Sequence, residues 1–202
     1  MSRPLLLVGC GGHARSLIDV VESSACWHVL GLVGLPEQVG LELLGYPVLG
    51  TDQDLPALRA RYDHAILAVG QVGLDSIRQR LSTVLSRLGF NMPTVISRHA
   101  VVSRHASLGG GTSVGHGVVV NAGARIGEHC ILNSQALIEH DVVIENHCHI
   151  STGALINGGV SIGSGSFIGS GAIVREGLRL PTNTVISAGK RVMGWPLREE
   201  RS

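Results

Sequence analysis

Residues 126–150 read IGEHCILNSQALIEHDVVIENHCHI, with an aliphatic residue at every sixth position: Ile126, Leu132, Ile138, Ile144 and Ile150. Followed outward, the series begins at Ile96, passes through Val102, Leu108, Val114 and Val120, and continues through Ile156, Ile162, Ile168, Val174, Leu180 and Ile186 to Val192 without a miss. Four residues after each comes a second column of small or β-branched residues: Ala100, Ala106, Thr112, Val118, Ala124, Cys130, Ala136, Val142, Cys148, Ala154, Val160, Ser166 and Ala172. Glycine often follows the first column directly, as at Gly109, Gly115, Gly127, Gly163 and Gly169, which reads as turn chemistry. A period of six is neither helical nor a simple alternation. It suits a chain that makes a short strand, turns a corner and repeats, with aliphatics inward and polar residues outward. One repeat cannot bury its inner face alone, so stacking must supply the core.

The pattern resembles the hexapeptide-repeat acyltransferases, whose left-handed parallel β-helix has three repeats per coil. With eighteen residues per coil, positions eighteen apart stack at the strand spacing of about 4.8 Å. Cys130 and Cys148 form such a pair, and buried small hydrophobes are the expected reading for both.

Composition agrees with a narrow aliphatic core. The 202 residues are 44% hydrophobic but only 3% aromatic, with 28 glycines. Net charge is +1 with both signs interspersed, so no basic face for nucleic acid is expected. No apolar run approaches the ~18 residues of a membrane helix. Leu7-Val8-Gly9-Cys10 imitates a lipoprotein processing site, but the apolar run Leu5 to Val8 falls short of the ~7–15 residues of a secretory core. A cytoplasmic protein is expected. The four cysteines, Cys10, Cys26, Cys130 and Cys148, form no C-x-x-C pair, and no metal is expected.

Ahead of the repeats, Leu5–Val8 reads as a buried strand and Gly9-Cys10-Gly11-Gly12-His13-Ala14 as a glycine turn into a helix through about Glu22. Strands at 28–33 and 64–69 and helices near 54–61 and 73–88 complete an alternating pattern that implies a parallel sheet. The expected fold is therefore a Rossmann-like α/β domain over 1–92 followed by a left-handed β-helix over 93–202. The turn fits G-x-G-x-x-A, but an NAD site also needs an acid about twenty residues on. Here Val29–Leu35 holds none. A nucleotide diphosphate other than NAD is the better fit to amides exposed at a helix start.

Three stretches, Val8–Ala14, Ile131–Asp141 and His149–Gly159, together with a Gly194-Trp195-Pro196-Leu197-Arg198 tail, resemble the bacterial sugar acetyltransferases. That family comprises nucleotide-4-amino-sugar N-acetyltransferases and sialic acid O-acetyltransferases. The resemblance implies a homotrimer, an N-terminal domain for the nucleotide-sugar, and acetyl-CoA in a groove between subunits. By residue, it implies His140 as general base and Asp141 as the acid that orients it. His149, Gly158, Ser170 and Ala188 would contact acetyl-CoA. Gly11, Gly12, His13 and Gly70 would hold the nucleotide-sugar, with Asn133 near the acceptor amine. Where the family often carries acids after the second strand, this chain has Gly34 and Leu35. The implied function is acetyl transfer to the amine of a nucleotide-linked 4-amino-4,6-dideoxy sugar. The alternatives are O-acetylation of a nonulosonic acid, or a non-catalytic β-helix scaffold, which should lack a base in a groove. His99, His105, His116, His129 and His147 are expected to be exposed corner residues.

Overall fold

The computed structural model describes residues 2–72 and 77–196. Its contacts divide into two compact units, which meet in sequence between Arg98 and His99.

The first unit is a five-stranded sheet of order β3-β4-β2-β1-β5, with β1 Arg3–Val8, β2 Trp27–Val33, β3 Glu42–Leu43, β4 Tyr46–Gly50 and β5 Ala65–Leu67. Strand β1 pairs in parallel with β2 and β5, and its side chains alternate between two cores, as a strand's must. Leu5 and Leu7 join Ala14, Leu17, Ile18 and Val21 of α1 (Gly12–Ser23). Leu6 and Val8 join Leu55 and Leu58 of α2 (Leu55–Arg59), and Leu81 and Leu85 of α3 (Ile77–Arg87). Burial on both faces is why this segment is uninterrupted leucine and valine. The sequence reading missed β3 and β4. Strand β4 contains Pro47 and buries only Val48 and Gly50, a weak signal suited to a sheet margin. Val95, in Val95–Ile96 (β6), is fully buried in the α1 core. The expected helix at 73–88 is α3 from Ile77, and 73–76 lie outside the described residues, as do Leu197 and Arg198 of the tail.

In the second unit every strand has two residues, from Val101–Val102 to Arg191–Val192, and each pairs in parallel with the strand eighteen residues away. One sheet carries the strands beginning at 101, 119, 137, 155, 173 and 191; a second, those at 107, 125, 143, 161 and 179; a third includes those at 113, 131, 149, 167 and 185. The hexapeptide column points inward: Ile138, Ile150, Ile156, Ile168, Val174 and Ile186 are fully buried. The second column is buried too from Thr112 onward, and its polar members are satisfied at the corners. Thr112 donates to Gly127 O at 2.9 Å and Ser166 to Gly163 O at 2.6 Å, while the thiols of Cys130 and Cys148 reach Glu145 O and Gly163 O at 3.1 and 3.3 Å. The hydrogen bond with Cys130, and then burial, hold the Cys148 thiol far above the usual range, so both buried cysteines serve as core packing.

The glycines that follow the first column are not the turn glycines expected of them. A Cβ at Gly109 or Gly115 would stand 2.6 or 2.9 Å from the main chain of the next coil, so these positions permit close stacking. The turn itself falls two residues later, where Gly111, Gly117, Gly123, Gly159 and Gly165 take positive φ. At five corners a non-glycine residue occupies that left-handed position: His129, Gln135, Asp141, His147 and Asn183. The expected exposure fails for three histidines: His116, which is half-buried, and two of this set. His129 is buried and His147 half-buried, their rings stacked at 5.0 Å, and His129 lies directly over Gly111, whose missing Cβ leaves the room. No described helix is long and apolar enough to cross a membrane.

Candidate active site

His140 and Asp141 sit at the corner that follows Leu137–Ile138. Ile138 is buried inward, and the chain turns so that His140 is left exposed on the outer edge. Asp141 adopts φ 59°, and this left-handed turn brings its carboxylate to His140 Nδ1 at 2.9 Å. An ionised carboxylate can only accept, so Nδ1 carries the proton and Nε2 keeps a lone pair able to accept one. The imidazole has a raised pKa: the Asp141 hydrogen bond is the main cause, partial desolvation opposes it, and the negative charges of Asp141 and Glu139 add to it.

The pair is framed by glycines of neighbouring coils. The ring of His140 lies over Gly158, where a Cβ would stand 2.7 Å from both Cε1 and Nε2. Asp141 lies over Gly123. The cleft beside His140 is lined by Glu139, Asn157, Gly158, Gly159, Glu176 and Gly177. Glu139, Asn157 and Glu176 were not singled out from the sequence, although the eighteen-residue register carries the signal. Asn121, Glu139 and Asn157 form one column, and His140, Gly158 and Glu176 another.

The remaining residues expected at the cofactor lie elsewhere on the prism. His149 belongs to the third sheet, buried, with its ring edge-on to Phe167 at 5.2 Å. Ser170 and Ala188 are exposed at the corner that follows this sheet, and Ser170 shares a 2.9 Å hydrogen bond with Ser151. Asn133 is half-buried at the same corner, its side-chain oxygen accepting from Ser134 N at 2.9 Å. The expected set thus divides between two edges of the prism, with Gly158 beside His140 and the others beside or along the third sheet. Between those edges runs a face with outward Val101, Val119, Leu137, Leu155 and Ile173 in register.

In the first unit a cavity of about 380 Å³ opens at the glycine turn. Gly11, Gly12, His13 and Gly70 all line it, with Gly34, Leu35, Gln38, Asp52 and Arg80. Gly9, at φ 127°, must be glycine, since a Cβ would press on Ala68 and Val69 at 2.7–2.8 Å. Gly11 and Gly12 face open space. Helix α1 starts there with no side-chain cap bond and no acid in its first turn, which leaves its amides and positive dipole end for an anion. Burial pushes the Cys10 thiol up, partly offset by Arg15, so it is no poised nucleophile. The place of an acid after β2 is closed by Gln38, whose side chain accepts from Leu35 N at 2.9 Å and donates to Cys10 O at 3.3 Å. Arg78, fully buried, donates to Leu67 O and Val69 O at 3.1 and 2.6 Å and so holds the far wall. Neither Gln38 nor Arg78 carries a sequence signal, because their partners are main-chain carbonyls and amides brought close only by folding. Among the described residues no cluster of three or more His, Cys, Asp or Glu is arranged to hold a metal.

A corner-borne His–Asp pair on a hexapeptide prism, beside an α/β domain with an anion-ready glycine turn, defines a hexapeptide-repeat acyltransferase. Comparison with known proteins narrows this. The chain matches the PglD N-terminal domain over residues 4–85 and the bacterial transferase hexapeptide repeat over 123–158 and 141–176. A variant of perosamine N-acetyltransferase from Caulobacter crescentus, in complex with CoA and GDP-perosamine, is 32% identical. It superposes at a TM-score of 0.88 over 95% of this chain and 89% of the other. The acetyltransferase domain of PglB from Neisseria gonorrhoeae, in complex with acetyl coenzyme A, is 29% identical, with a TM-score of 0.84 over 95% and 93%. No curated protein sequence matches this one. The chain belongs to the bacterial sugar acetyltransferases of the hexapeptide-repeat superfamily.

Proposed function

We propose that this protein transfers acetyl from acetyl-CoA to the amine of a nucleotide-linked 4-amino-4,6-dideoxy sugar, with His140 as general base. The observation that carries the reading is the 2.9 Å His140–Asp141 contact on an exposed corner over Gly158. The acceptor, having lost its ammonium proton to solvent, attacks the thioester carbonyl as the neutral amine and forms the C–N bond. His140 Nε2 takes the amine proton, and the C–S bond breaks with the thiolate as leaving group, to be protonated by the imidazolium. Asp141 holds the tautomer and offsets the charge that develops on the ring. The thioester is already activated, so no covalent enzyme intermediate is required.

The nucleotide end belongs in the first unit's cavity, with its phosphates at Gly11 and Gly12, beside His13 and Gly70. A homotrimer accounts for the division of the cofactor residues. The edge carrying His140 and Gly158 of one copy would face the His149, Ser170, Ala188 and Asn133 edge of the next. The outward column of Val119, Leu137, Leu155 and Ile173 supplies the apolar surface between copies. The reaction is placed in the cytoplasm, where acetyl-CoA is available.

The charge of the cleft favours an amine over a sialic acid. Glu139, Asp141 and Glu176 all line it, so an ammonium is attracted on arrival and an acceptor's own carboxylate repelled. A thiol-release assay with acetyl-CoA and a panel of nucleotide-linked amino sugars, free amino sugars and sialic acids tests this. Turnover on the nucleotide-linked amines alone is expected. Turnover on the sialic acids alone would move the reading to O-acetylation, and none on any acceptor would favour a scaffold.

A further inference from the structure

Beside the base runs a polar column, Asn121, Glu139 and Asn157, eighteen residues apart, whose middle member has a structural part beyond its charge in the cleft. Glu139 is half-buried. Its Oε2 accepts from Asn121 Nδ2 of the preceding coil at 2.9 Å and from the main-chain N–H of His140 at 3.3 Å. The next amide, Asp141 N, donates to Ala122 O at 3.1 Å, and Glu139 N donates to Ile156 O of the following coil at 2.9 Å. Three successive N–H groups of the corner are therefore committed, and the middle one, at His140, is held by a side chain, while the His140 carbonyl accepts from Gly159 N of the following coil at 3.0 Å. A base misplaced by about 1 Å loses about a hundredfold in rate.

We propose that Glu139 is a positioning residue for the general base, its carboxylate clamping the His140 peptide to Asn121 of the coil below. The inference rests on the reading of His140 as the base. Glu139 also places a second negative charge near the imidazole, after that of Asp141, so its removal should register in the pH profile as well as in the rate.

The test uses the full chain with acetyl-CoA and its amine acceptor, measuring kcat and both KM values against pH, with thermal unfolding alongside. Glu139→Gln keeps an acceptor oxygen for Asn121 and the His140 amide but removes the charge. It is expected to hold plateau kcat within about threefold while the acidic limb of the profile moves to lower pH. Glu139→Ala removes the clamp and should lose about 10- to 100-fold in kcat with little change in the KM for acetyl-CoA or in Tm. Asn121→Ala should fall between the two. Wild-type kcat and an unmoved pH profile in Glu139→Ala would overturn the proposal. So would equal loss in the Gln and Ala variants, because the amide preserves the clamp. Should Glu139→Ala fail to fold, Asn121→Ala decides, and wild-type kcat there overturns the clamp. If His140→Ala retained activity, the reading of the base would fall with its clamp. If His140→Ala is dead while Glu139→Ala is fully active, only the role of Glu139 falls.

Discussion

Replacing Gly158 by alanine separates the two roles this residue could play. Its φ lies outside the left-handed region, so alanine brings no backbone strain, unlike Gly159 next to it at φ 66°. The new methyl would stand 2.7 Å from Cε1 and Nε2 of His140. Ordinary carbon contacts are about 3.5–4.0 Å, so the ring must retreat by roughly an ångström. A displacement of that size at a catalytic base is worth about a hundredfold in rate. Gly158→Ala is therefore expected to lower kcat 10- to 100-fold with Tm nearly unchanged, because the ring it displaces is exposed and supports no core. Gly159→Ala is the matched control. Nothing lies within 4 Å of its Cβ, but the left-handed backbone should cost about 1–2 kcal/mol of stability with kcat preserved. Steady-state kinetics in both substrates and thermal unfolding of the two variants form the assay. If Gly158→Ala chiefly raised KM for acetyl-CoA with kcat intact, the glycine would be a cofactor contact and not clearance for the base. If it left both constants alone, the ring's position over Gly158 would be irrelevant to catalysis.

Further expectations follow from the same site. His140→Ala should lower kcat by about 10²–10⁴-fold while assembly and acetyl-CoA binding persist, read by turnover and calorimetry; retention of most kcat would sink the assignment of the base. Asp141→Asn should cost less at the plateau, and since Asp141 raises the His140 pKa, the acidic limb of kcat/KM should move to lower pH. A limb that stays put, or moves up, would contradict the pairing. Sedimentation at micromolar concentration should give a trimer, and a stable monomer would refute the bridging of two edges. Calorimetric titration should show a nucleoside diphosphate sugar binding and NAD not, because Gln38 closes the place of the ribose-binding acid; tight NAD binding alone would reverse this.

The period of six was sufficient to determine the prism. Side chains eighteen residues apart stack whatever their chemistry, so the sequence alone set the inward columns, the register and the outward placement of His140. The β1–glycine-turn–α1 start was equally legible, because a strand buried on both faces must be apolar throughout and the turn must admit a backbone that only Gly9 tolerates. What the sequence left open depended on contacts between coils and on main-chain partners. Gly109 and Gly115 read as turn glycines, but their role is clearance for the next coil, and a period cannot distinguish a missing Cβ needed for conformation from one needed for space. Glu139 looked like any polar edge residue until the coil below supplied Asn121 and the corner turned the His140 amide toward it. Gln38 and Arg78 bind carbonyls and amides, which carry no signature in the side-chain sequence. Gly158 bears the same letter as its neighbour Gly159, yet only the folded chain places an imidazole over the first and open space over the second.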